Sequence, residues 1–352
     1  MNMPAPARKT IAVVTSSPPM AEGGHMVIAR ELTRALRDAG HDAHILVTPQ
    51  NAFGHQASAY LATWLTDVTS SEGRPIDQVI SLRYPSYAVR HRRHVCWLNH
   101  TMREYYDLWD SFSATLSPKG RLKERVRKTF IHAADRYLLT RLSRLFVQSK
   151  TVQQRMAAWQ SVNSTVLYPP APARAYRCDG YGPSFFFVSR LTRLKRADLL
   201  VRALATPSAN AIRLVIAGDG EERPSLERLA FDLGVADRVT FTGRLTDEQL
   251  LDELATCRAV CFPPFQEDYG FVTVEAFASR KAVITCRDSG GPAELVKDGV
   301  SGLNCEPAPE ALGRAMRRLA DDPALAERMG AAAFAVGEKL TWTETVRQLV
   351  LQ

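Results

Sequence analysis

Two glutamates separated by seven residues stand in the segment PPFQEDYGFVTVEAFAS, which follows the apolar run RAVCF. The pattern predicts Glu267 in a loop and Glu275 in the first turn of a helix. Backbone N–H groups at a helix N-terminus favour an anion such as a phosphate. A second loop-to-helix junction follows at DSGGPAELV, where Gly290 and Gly291 permit close backbone approach and Pro292 suits the first helical position. Two such junctions together indicate a diphosphate-binding site, although two ordinary turns with capping residues give the same pattern.

Basic residues form a second cluster, directly after the apolar run FFFVS that predicts a buried strand. The run is followed at once by Arg190, Arg193, Lys195 and Arg196. Cations at the carboxyl end of a parallel strand can neutralise a leaving phosphate as its negative charge develops. We expect this role of Arg190 and Lys195, whereas we expect Arg193 and Arg196 to be solvated residues of a basic turn.

A glycine pair, Gly23 and Gly24, precedes the first amphipathic helix pattern. The pair does not match G-x-G-x-x-G, and alone it is weak evidence for a phosphate-binding loop. It fits a flexible loop before a helix, and it also fits a loop that approaches the diphosphate from the other half of the chain.

The elements that must position these residues alternate between strands and helices. TIAVVTS and DAHILVT are strand patterns, and the helix pattern HMVIARELTRALRDAG lies between them, with Gly40 as its natural end. This is one βαβ unit, the start of a parallel sheet. After about residue 185 the alternation restarts with the strand patterns FFFVS, RLVIAG, VTFTG, RAVCF and KAVITC.

We therefore expect an α/β protein with two Rossmann-like domains. The first covers residues 1–167, and the second covers residues 185–340. The proline- and glycine-rich stretch 168–184 is the predicted linker, and the C-terminal helix 341–352 is expected to pack back near the first domain. Because ligands of such sheets bind beyond the carboxyl ends of the strands, we expect two facing domains with the active-site cleft between them.

The composition fits this organisation. The chain has 352 residues, of which 45% are hydrophobic and 23% charged, which excludes disordered, collagen-like and coiled-coil classes. No apolar run approaches the roughly 20 residues that cross a bilayer. The N-terminal residues lack the apolar stretch of a secretion signal, and six scattered cysteines form no C-x-x-C. We expect a cytoplasmic protein with reduced thiols and no zinc site.

The positive charge is concentrated in the first half of the chain. The formal net charge is +8, and all eight histidines stand at or before His132. Residues 119–150 hold ten Lys+Arg and two Asp+Glu. This stretch fits a patch for an anionic membrane surface or anionic acceptor, although it lacks the bulky apolar face of a strong interfacial helix, and a solvated helix gives the same composition. Nucleic acid is not an expected partner, because no supporting motif is present.

Taken together, the motifs resemble those of retaining glycosyltransferases of family 4, which have the GT-B fold of two facing Rossmann-like domains. The resemblance is strongest from about residue 185 to 340 and looser through EGGHMVIARELTRALRDAGHD. Its most specific motif is E-x7-E, here Glu267 to Glu275, followed by AFAS, AVITC and GGPAELV. SRLTRLK matches the paired basic motif of the family, and GDGEERPSLERLA and VTFTGRLTDEQL match the segments that close around base and ribose.

The resemblance implies a role for each matched residue. Arg190 and Lys195 would hold the diphosphate, Glu275 would bind the ribose hydroxyls, and Glu267 would face the donor sugar. His100, in WLNHTMREYYDLWD, matches a histidine that the family points at the donor sugar, although a structural role is equally consistent with the sequence. The donor-binding residues implied are Gly23, Gly24, Gly218, Arg244, Leu245, Gly270, Phe271, Val272, Thr273 and Glu275.

The function implied is transfer of a hexose from a nucleotide diphosphate sugar to a hydroxyl acceptor, with UDP favoured and GDP-mannose as the alternative donor. No D-x-D motif is present to hold a divalent ion against a diphosphate, so we expect metal-independent transfer and no cofactor besides the donor. Tyr105, Tyr106 and Trp109 fit an acceptor pocket or a core. Two alternatives stay open: a catalytically silent sugar-nucleotide-binding protein, which the intact basic and acidic motifs argue against, and a nucleotide-sugar epimerase, which needs no acceptor.

Overall fold

The computed structural model describes residues 8–18, 23–50 and 53–352. The chain forms two compact units. The first contains the residues up to Pro169 together with Thr341–Gln352, and the second contains Pro170–Leu340. Most of the stretch predicted as a linker therefore belongs to the second unit. The predicted loop before the first helix is described only in part, because residues 19–22 lie outside the described ranges.

Among the described residues of the first unit, six parallel strands form one sheet in the order β2-β1-β5-β6-β7-β8. A separate antiparallel pair, β3 and β4, forms a small hairpin. The strands are β1 Thr10–Ser17, β2 Asp42–Pro49, β3 Ser70–Ser71, β4 Arg74–Pro75, β5 Gln78–Ser81, β6 His94–Leu98, β7 Arg144–Val147 and β8 Thr165–Val166. The helices between them are α1 Gly24–Asp38, α2 Gln56–Leu65, α3 Trp109–Ala114, α4 Pro118–Leu139 and α5 Lys150–Gln160.

The second unit, all of whose residues are described, holds a parallel sheet in the order β11-β10-β9-β12-β13-β14. Counted within the unit this order is 3-2-1-4-5-6, the order of the Rossmann fold. The strands are β9 Ser184–Val188, β10 Arg213–Ala217, β11 Val239–Gly243, β12 Val260–Cys261, β13 Val283–Cys286 and β14 Gly302–Cys305. The helices are α6 Ala197–Leu204, α7 Arg223–Asp232, α8 Asp247–Thr256, α9 Phe271–Ala278, α10 Gly291–Leu295, α11 Pro309–Asp321 and α12 Pro323–Gly337.

These two parallel sheets confirm the predicted α/β class with two Rossmann-like units. The first strand of the second unit is fully buried at Phe185, Phe186 and Phe187, as expected for a central strand covered on both faces. The predicted strands do not include β14, because its sequence GLNC is only four residues long and has no apolar run.

A buried carboxylate organises the helices of the first unit. Asp135 of α4 is fully buried and accepts hydrogen bonds from the hydroxyls of Tyr60 in α2, Tyr87 (2.5 Å) and Tyr106 (2.7 Å). Burial raises the pKa of Asp135 to about 6, and the three tyrosine hydrogen bonds oppose this shift. Tyr105 is buried as well and donates to Glu124. The aromatic residues at 105 and 106 therefore belong to the core, which is one of the two roles that the sequence allowed for them.

The last helix of the chain, α13 Trp342–Leu349, belongs to the first unit. The side-chain amide of Gln78 donates to the carbonyl of Leu349 (2.7 Å) and its oxygen accepts from the N–H of Leu351 (2.9 Å). The Trp342 ring packs edge-on against the buried Trp97 ring, with centroids 6.1 Å apart. The helix is therefore attached by both polar and apolar contacts.

We predict that Leu349→Ala lowers the free energy of unfolding of the first unit by about 2–4 kcal/mol, because Leu349 is fully buried and its removal leaves a cavity. All five tryptophans of the chain lie in this unit, so urea unfolding followed by tryptophan fluorescence reports on it selectively. Leu65→Ala is the control, since Leu65 is 64% exposed, and it should cost well under 1 kcal/mol. Equal effects of the two substitutions would contradict the attachment of α13.

Candidate functional site

The candidate site lies at the carboxyl ends of β9 and β12, which are neighbours in the second sheet. The chain leaves β9 toward β10 on one side, whereas β12 begins the opposite half of the sheet. The strand order therefore reverses between β9 and β12, and the crevice beyond such a reversal is where open α/β sheets bind ligands. The basic cluster follows β9, and the first glutamate of the E-x7-E pair follows β12.

Two of the predicted residues meet directly at this position. Nζ of Lys195, at the end of a short 3₁₀ turn after β9, lies 2.5 Å from Oε2 of Glu267. Both side chains are largely covered, with 15% and 21% of their areas exposed. Arg190 is exposed, and no described residue accepts a hydrogen bond or ion pair from its guanidinium. Of the two cations predicted to bind a diphosphate, Lys195 is thus paired, whereas Arg190 has no partner among the described residues.

The loop that carries Glu267 is bound to the turn before α10 by its backbone. The N–H of Glu267 donates to the carbonyl of Ser289 (3.0 Å), and the N–H of Gly291 donates to the carbonyl of Glu267 (2.9 Å). Gly290 has φ +71°, and a Cβ there would lie 2.4 Å from the Glu267 carbonyl oxygen. Only glycine permits this approach, so the sequence Gly-Gly has the close-contact role that was predicted for it.

Arg196 is not the solvated residue that the sequence pattern suggested. Its guanidinium donates to the carbonyls of Pro263 (2.8 Å) and Pro264 (2.7 Å) and forms two hydrogen bonds with Asp288 (2.8 and 2.6 Å). These contacts connect the turn after β9 with the loop after β12 and the turn after β13. The planar, five-donor guanidinium suits such a junction, and only the structure brings its acceptors together. Arg193 is exposed, as expected.

Glu275 is the fifth residue of α9, so the expectation that it stands in the first helical turn is wrong. The helix begins at Phe271, earlier than the sequence pattern indicated. Glu275 is buried, and its Oε1 accepts from Arg174 and from the hydroxyl of Tyr176 (3.4 Å). No described residue donates to its Oε2. Burial raises the pKa of Glu275, and the charge of Arg174 opposes the shift.

The N-terminus of α9 contains the other predicted contacts of this loop. Gly270 precedes the helix with φ +80°, and a Cβ there would lie 2.7 Å from the ring of Phe262. Phe271 and Val272 are half-buried in the first turn. Thr273 is fully buried, and its hydroxyl finds no hydrogen-bond partner among the described residues. An unpaired buried hydroxyl at a helix N-terminus is costly unless a ligand satisfies it.

Gly218 lies where β9, β10 and β11 end together. Its N–H donates to the carbonyl of Gly243 (2.7 Å), and with φ +120° a Cβ on it would lie 1.8 Å from the carbonyl oxygen of Ser189. Arg244 and Leu245 directly follow β11 and are exposed and half-buried, respectively. Gly218, Arg244 and Leu245 therefore lie at the same edge of the sheet as Arg190.

The remaining predicted residues belong to the first unit. Gly23 is the cap residue of α1, and Gly24 is the first residue of that helix, both after β1. His100 follows β6 and is half-buried, with Nδ1 2.6 Å from the carbonyl oxygen of Thr101. Within the first unit these residues lie beyond the carboxyl ends of parallel strands.

Arg174, Tyr176 and Asp288 are contacts of this site that the sequence reading did not identify. Arg174 and Tyr176 lie in the proline-rich stretch before β9, far along the chain from Glu275, and no motif connects them. Asp288 stands in the turn after β13, and its pairing with Arg196 depends on strand adjacency. In the described parts of the chain, no three His, Cys, Asp or Glu side chains are grouped as metal ligands, and no helix is long and apolar enough to cross a membrane.

Comparison with known proteins gives a family match for the second unit. Residues 176–336 match the family model described as glycosyl transferases group 1. A D-inositol 3-phosphate glycosyltransferase of Streptomyces griseus is 37% identical over 169 residues, which are 44% of this chain and 35% of the relative. An alpha-D-kanosaminyltransferase of Streptomyces kanamyceticus is 34% identical over 151 residues, 42% of this chain and 39% of the relative. The matches therefore span little more than a third of these curated relatives.

Solved structures of similar fold cover nearly the whole chain. Sucrose-phosphate synthase of Thermosynechococcus elongatus has a TM-score of 0.78 at 18% identity, covering 96% of this chain and 98% of that structure. HepE of Anabaena, in complex with UDP and glucose, has a TM-score of 0.70 at 17% identity with the same coverages. These findings confirm the predicted resemblance to glycosyltransferases with the GT-B fold, in sequence for the second unit and in fold for the chain.

We predict that Gly218→Ala lowers the free energy of unfolding of the second unit by about 3 kcal/mol or more, because the new Cβ meets the backbone oxygen of Ser189. Gly234→Ala is the matched control. Gly234 also has a positive φ, +66°, but a Cβ there has no neighbour within 4 Å, so only the backbone strain of about 1 kcal/mol remains. Urea unfolding followed by far-UV circular dichroism measures both, and similar losses would show that crowding at residue 218 is unimportant.

Proposed function

We propose that this protein is a glycosyltransferase that moves a hexose from a nucleotide diphosphate sugar to a hydroxyl acceptor. The observation that carries the proposal is the contact of Lys195 with Glu267 at the strand-order reversal of the second sheet. This contact lies within the residues that match glycosyl transferases group 1. A cation beside a carboxylate suits a ligand that has both phosphates and sugar hydroxyls.

The diphosphate would be held by charge and by backbone dipoles. The unpaired guanidinium of Arg190 and the ammonium of Lys195 supply fixed positive charge. The first N–H groups of α9 and the unpaired hydroxyl of Thr273 supply hydrogen-bond donors at an electropositive helix end. These groups take the place that a divalent ion holds in other phosphate sites, so we propose metal-independent transfer.

The nucleoside would lie between Glu275 and the loops that follow β10 and β11. Arg174 and Tyr176 hold Oε1 of Glu275, which leaves Oε2 to accept hydrogen bonds from the ribose hydroxyls. In this proposal Gly218, Arg244 and Leu245, which follow β10 and β11, would contact the nucleoside. UDP is the proposed nucleotide, with support from the fold similarity to HepE, which was crystallised with UDP and glucose.

The transfer itself would proceed with retention, as in glycosyltransferases of family 4. The bond between the anomeric carbon and the leaving phosphate oxygen breaks, and the acceptor oxygen bonds to the same face of the sugar. The acceptor proton moves to the departing phosphate, whose charge Arg190 and Lys195 stabilise. Glu267 would orient the sugar through its hydroxyls. The acceptor would be a glycan, a lipid-linked or a small-molecule hydroxyl.

We predict that UDP raises the melting temperature of the protein more than GDP, ADP or CMP does. A ligand at 100 times its dissociation constant adds about 2.7 kcal/mol of stability. The panel is run in EDTA, because the proposed site binds the diphosphate through fixed cations. A panel without any shift would refute the donor site, and a shift that appears only after magnesium is added would refute metal independence.

We predict that Lys195→Ala lowers kcat at least about 100-fold, because one fixed cation beside the leaving phosphate is lost. Transfer is measured as nucleoside diphosphate release with and without a panel of acceptor hydroxyls. The control is Arg193→Ala, which removes an exposed cation from the same turn and should retain activity within about twofold. Full activity of the Lys195 variant, with an unchanged circular dichroism spectrum, would show that its assigned role is wrong.

A further inference from the structure

Helix α4 has an apolar stripe on its outer face. Leu122, Val126 and Phe130 succeed one another at intervals of four residues, and Tyr137 continues the stripe. Their exposed fractions are 64%, 52%, 71% and 50%, respectively. The sequence pattern concealed this stripe, because basic residues stand between its members. The expectation that this basic stretch lacks a bulky apolar face is therefore wrong.

The charges around the stripe are positive because the acidic residues of α4 face inward. Glu124 is buried against Tyr105 and Arg127, and Asp135 is buried against three tyrosines. The exposed charged residues of the helix are Lys119, Arg121, Lys123, Arg125 and Arg136. An apolar stripe with cations on both sides is the arrangement of helices that lie in the interface of an anionic membrane.

A groove between α2 and α4 widens this apolar surface. It has a volume of about 770 Å³ and is lined by Tyr60, Leu61 and Trp64 from α2 and by Val126 and Phe130 from α4, among others. The hydrogen bond from Tyr60 to the buried Asp135 joins the two helices beneath the groove. The groove is therefore formed by two helices of the first unit that contact each other directly.

A basic recess adjoins the groove and shares Trp64 and Tyr137 with it. It has a volume of about 820 Å³, and Arg90, Arg92 and Arg141 line it. The guanidinium of Arg90 lies 5.2 Å from the Trp64 ring, and that of Arg141 lies 4.7 Å from the Tyr137 ring. Among the described residues, no carboxylate accepts from these three arginines. Asp67 lies within electrostatic range of Arg90 but forms no ion pair with it. Exposed guanidinium groups that form no ion pair suit phosphate oxygens.

We propose that this surface, the α2–α4 face, binds an anionic phospholipid bilayer. The apolar stripe and groove would contact acyl chains at the interface, and the arginines of the recess would contact lipid phosphates. The charge of the face favours this partner over a second copy of the chain, because two such faces would bring like charges together. The inference does not depend on glycosyl transfer, and its test does not measure activity.

The test is co-sedimentation of the full chain with vesicles. We expect binding to vesicles containing roughly 30 mol% phosphatidylglycerol, at least about tenfold weaker binding to pure phosphatidylcholine vesicles, and release at high salt. Val126→Ser combined with Phe130→Ser, and separately Arg90→Ala combined with Arg141→Ala, should each lower the partition coefficient at least about tenfold.

The controls alter matched residues of the second unit. Phe231→Ser changes an aromatic residue that is 77% exposed, and Arg314→Ala combined with Arg318→Ala removes two exposed cations. Both should bind vesicles within about twofold of the unaltered protein. Unchanged tryptophan fluorescence and urea midpoints establish that all variants are folded. The proposal is overturned by absence of vesicle binding, by equal binding to neutral vesicles, by variants that bind normally, or by a dimer that the Val126 and Phe130 changes dissociate.

Discussion

The reversal of strand order between β9 and β12 is the constraint on which the candidate site depends. β9 and β12 are neighbours, yet the chain visits β10 and β11 on the other side of β9 between them. The loops that leave these two strands consequently diverge, and their side chains face a shared crevice. Lys195 comes from one loop and Glu267 from the other, so a short ion pair connects residues that are far apart in sequence. The glycines at 218 and 290 are required because backbone segments approach closely at the same edge.

The cations near this edge have different functions that burial and partners distinguish. Arg196 donates hydrogen bonds to two proline carbonyls and to Asp288, and these bonds hold the loop that carries Glu267. Lys195 is paired with a single carboxylate, which a ligand phosphate can supplement. Arg190 is exposed and has no partner among the described residues. It can therefore bind an anion without breaking an existing contact. Positive charge that is in place before a ligand arrives is the condition for electrostatic catalysis in the transfer that we propose.

The sequence predicts most of the strands and the loop position of Glu267, because apolar runs and the E-x7-E spacing are local signals. The start of α9 could not be located, since Gly270 ends the loop through a positive φ that adjacent residues do not specify. The roles of Arg196 and Arg174 could not be predicted either, because each depends on acceptors from loops that only the sheet brings together. The sequence left the location of Tyr105 and Tyr106 open for a related reason, because an aromatic pair is compatible with a pocket or a core. In the structure, the hydroxyls of both tyrosines donate to buried carboxylates, and this places them in the core.

The positions of the acidic residues explain where each unit exposes positive charge. The chain after residue 170 has slightly more acidic than basic residues, yet Arg190 remains unpaired at its sheet edge because Asp288, Glu267 and Glu275 are each bound to another cation. In the first unit, the burial of carboxylates leaves a larger surface with positive charge only. Both acids of α4 point inward, so every exposed charge on that helix is positive although its sequence is mixed. The net charge of the chain therefore identifies neither the sheet edge at Arg190 nor the exposed face of α4 as positive. Both are identified by which carboxylates are buried or paired.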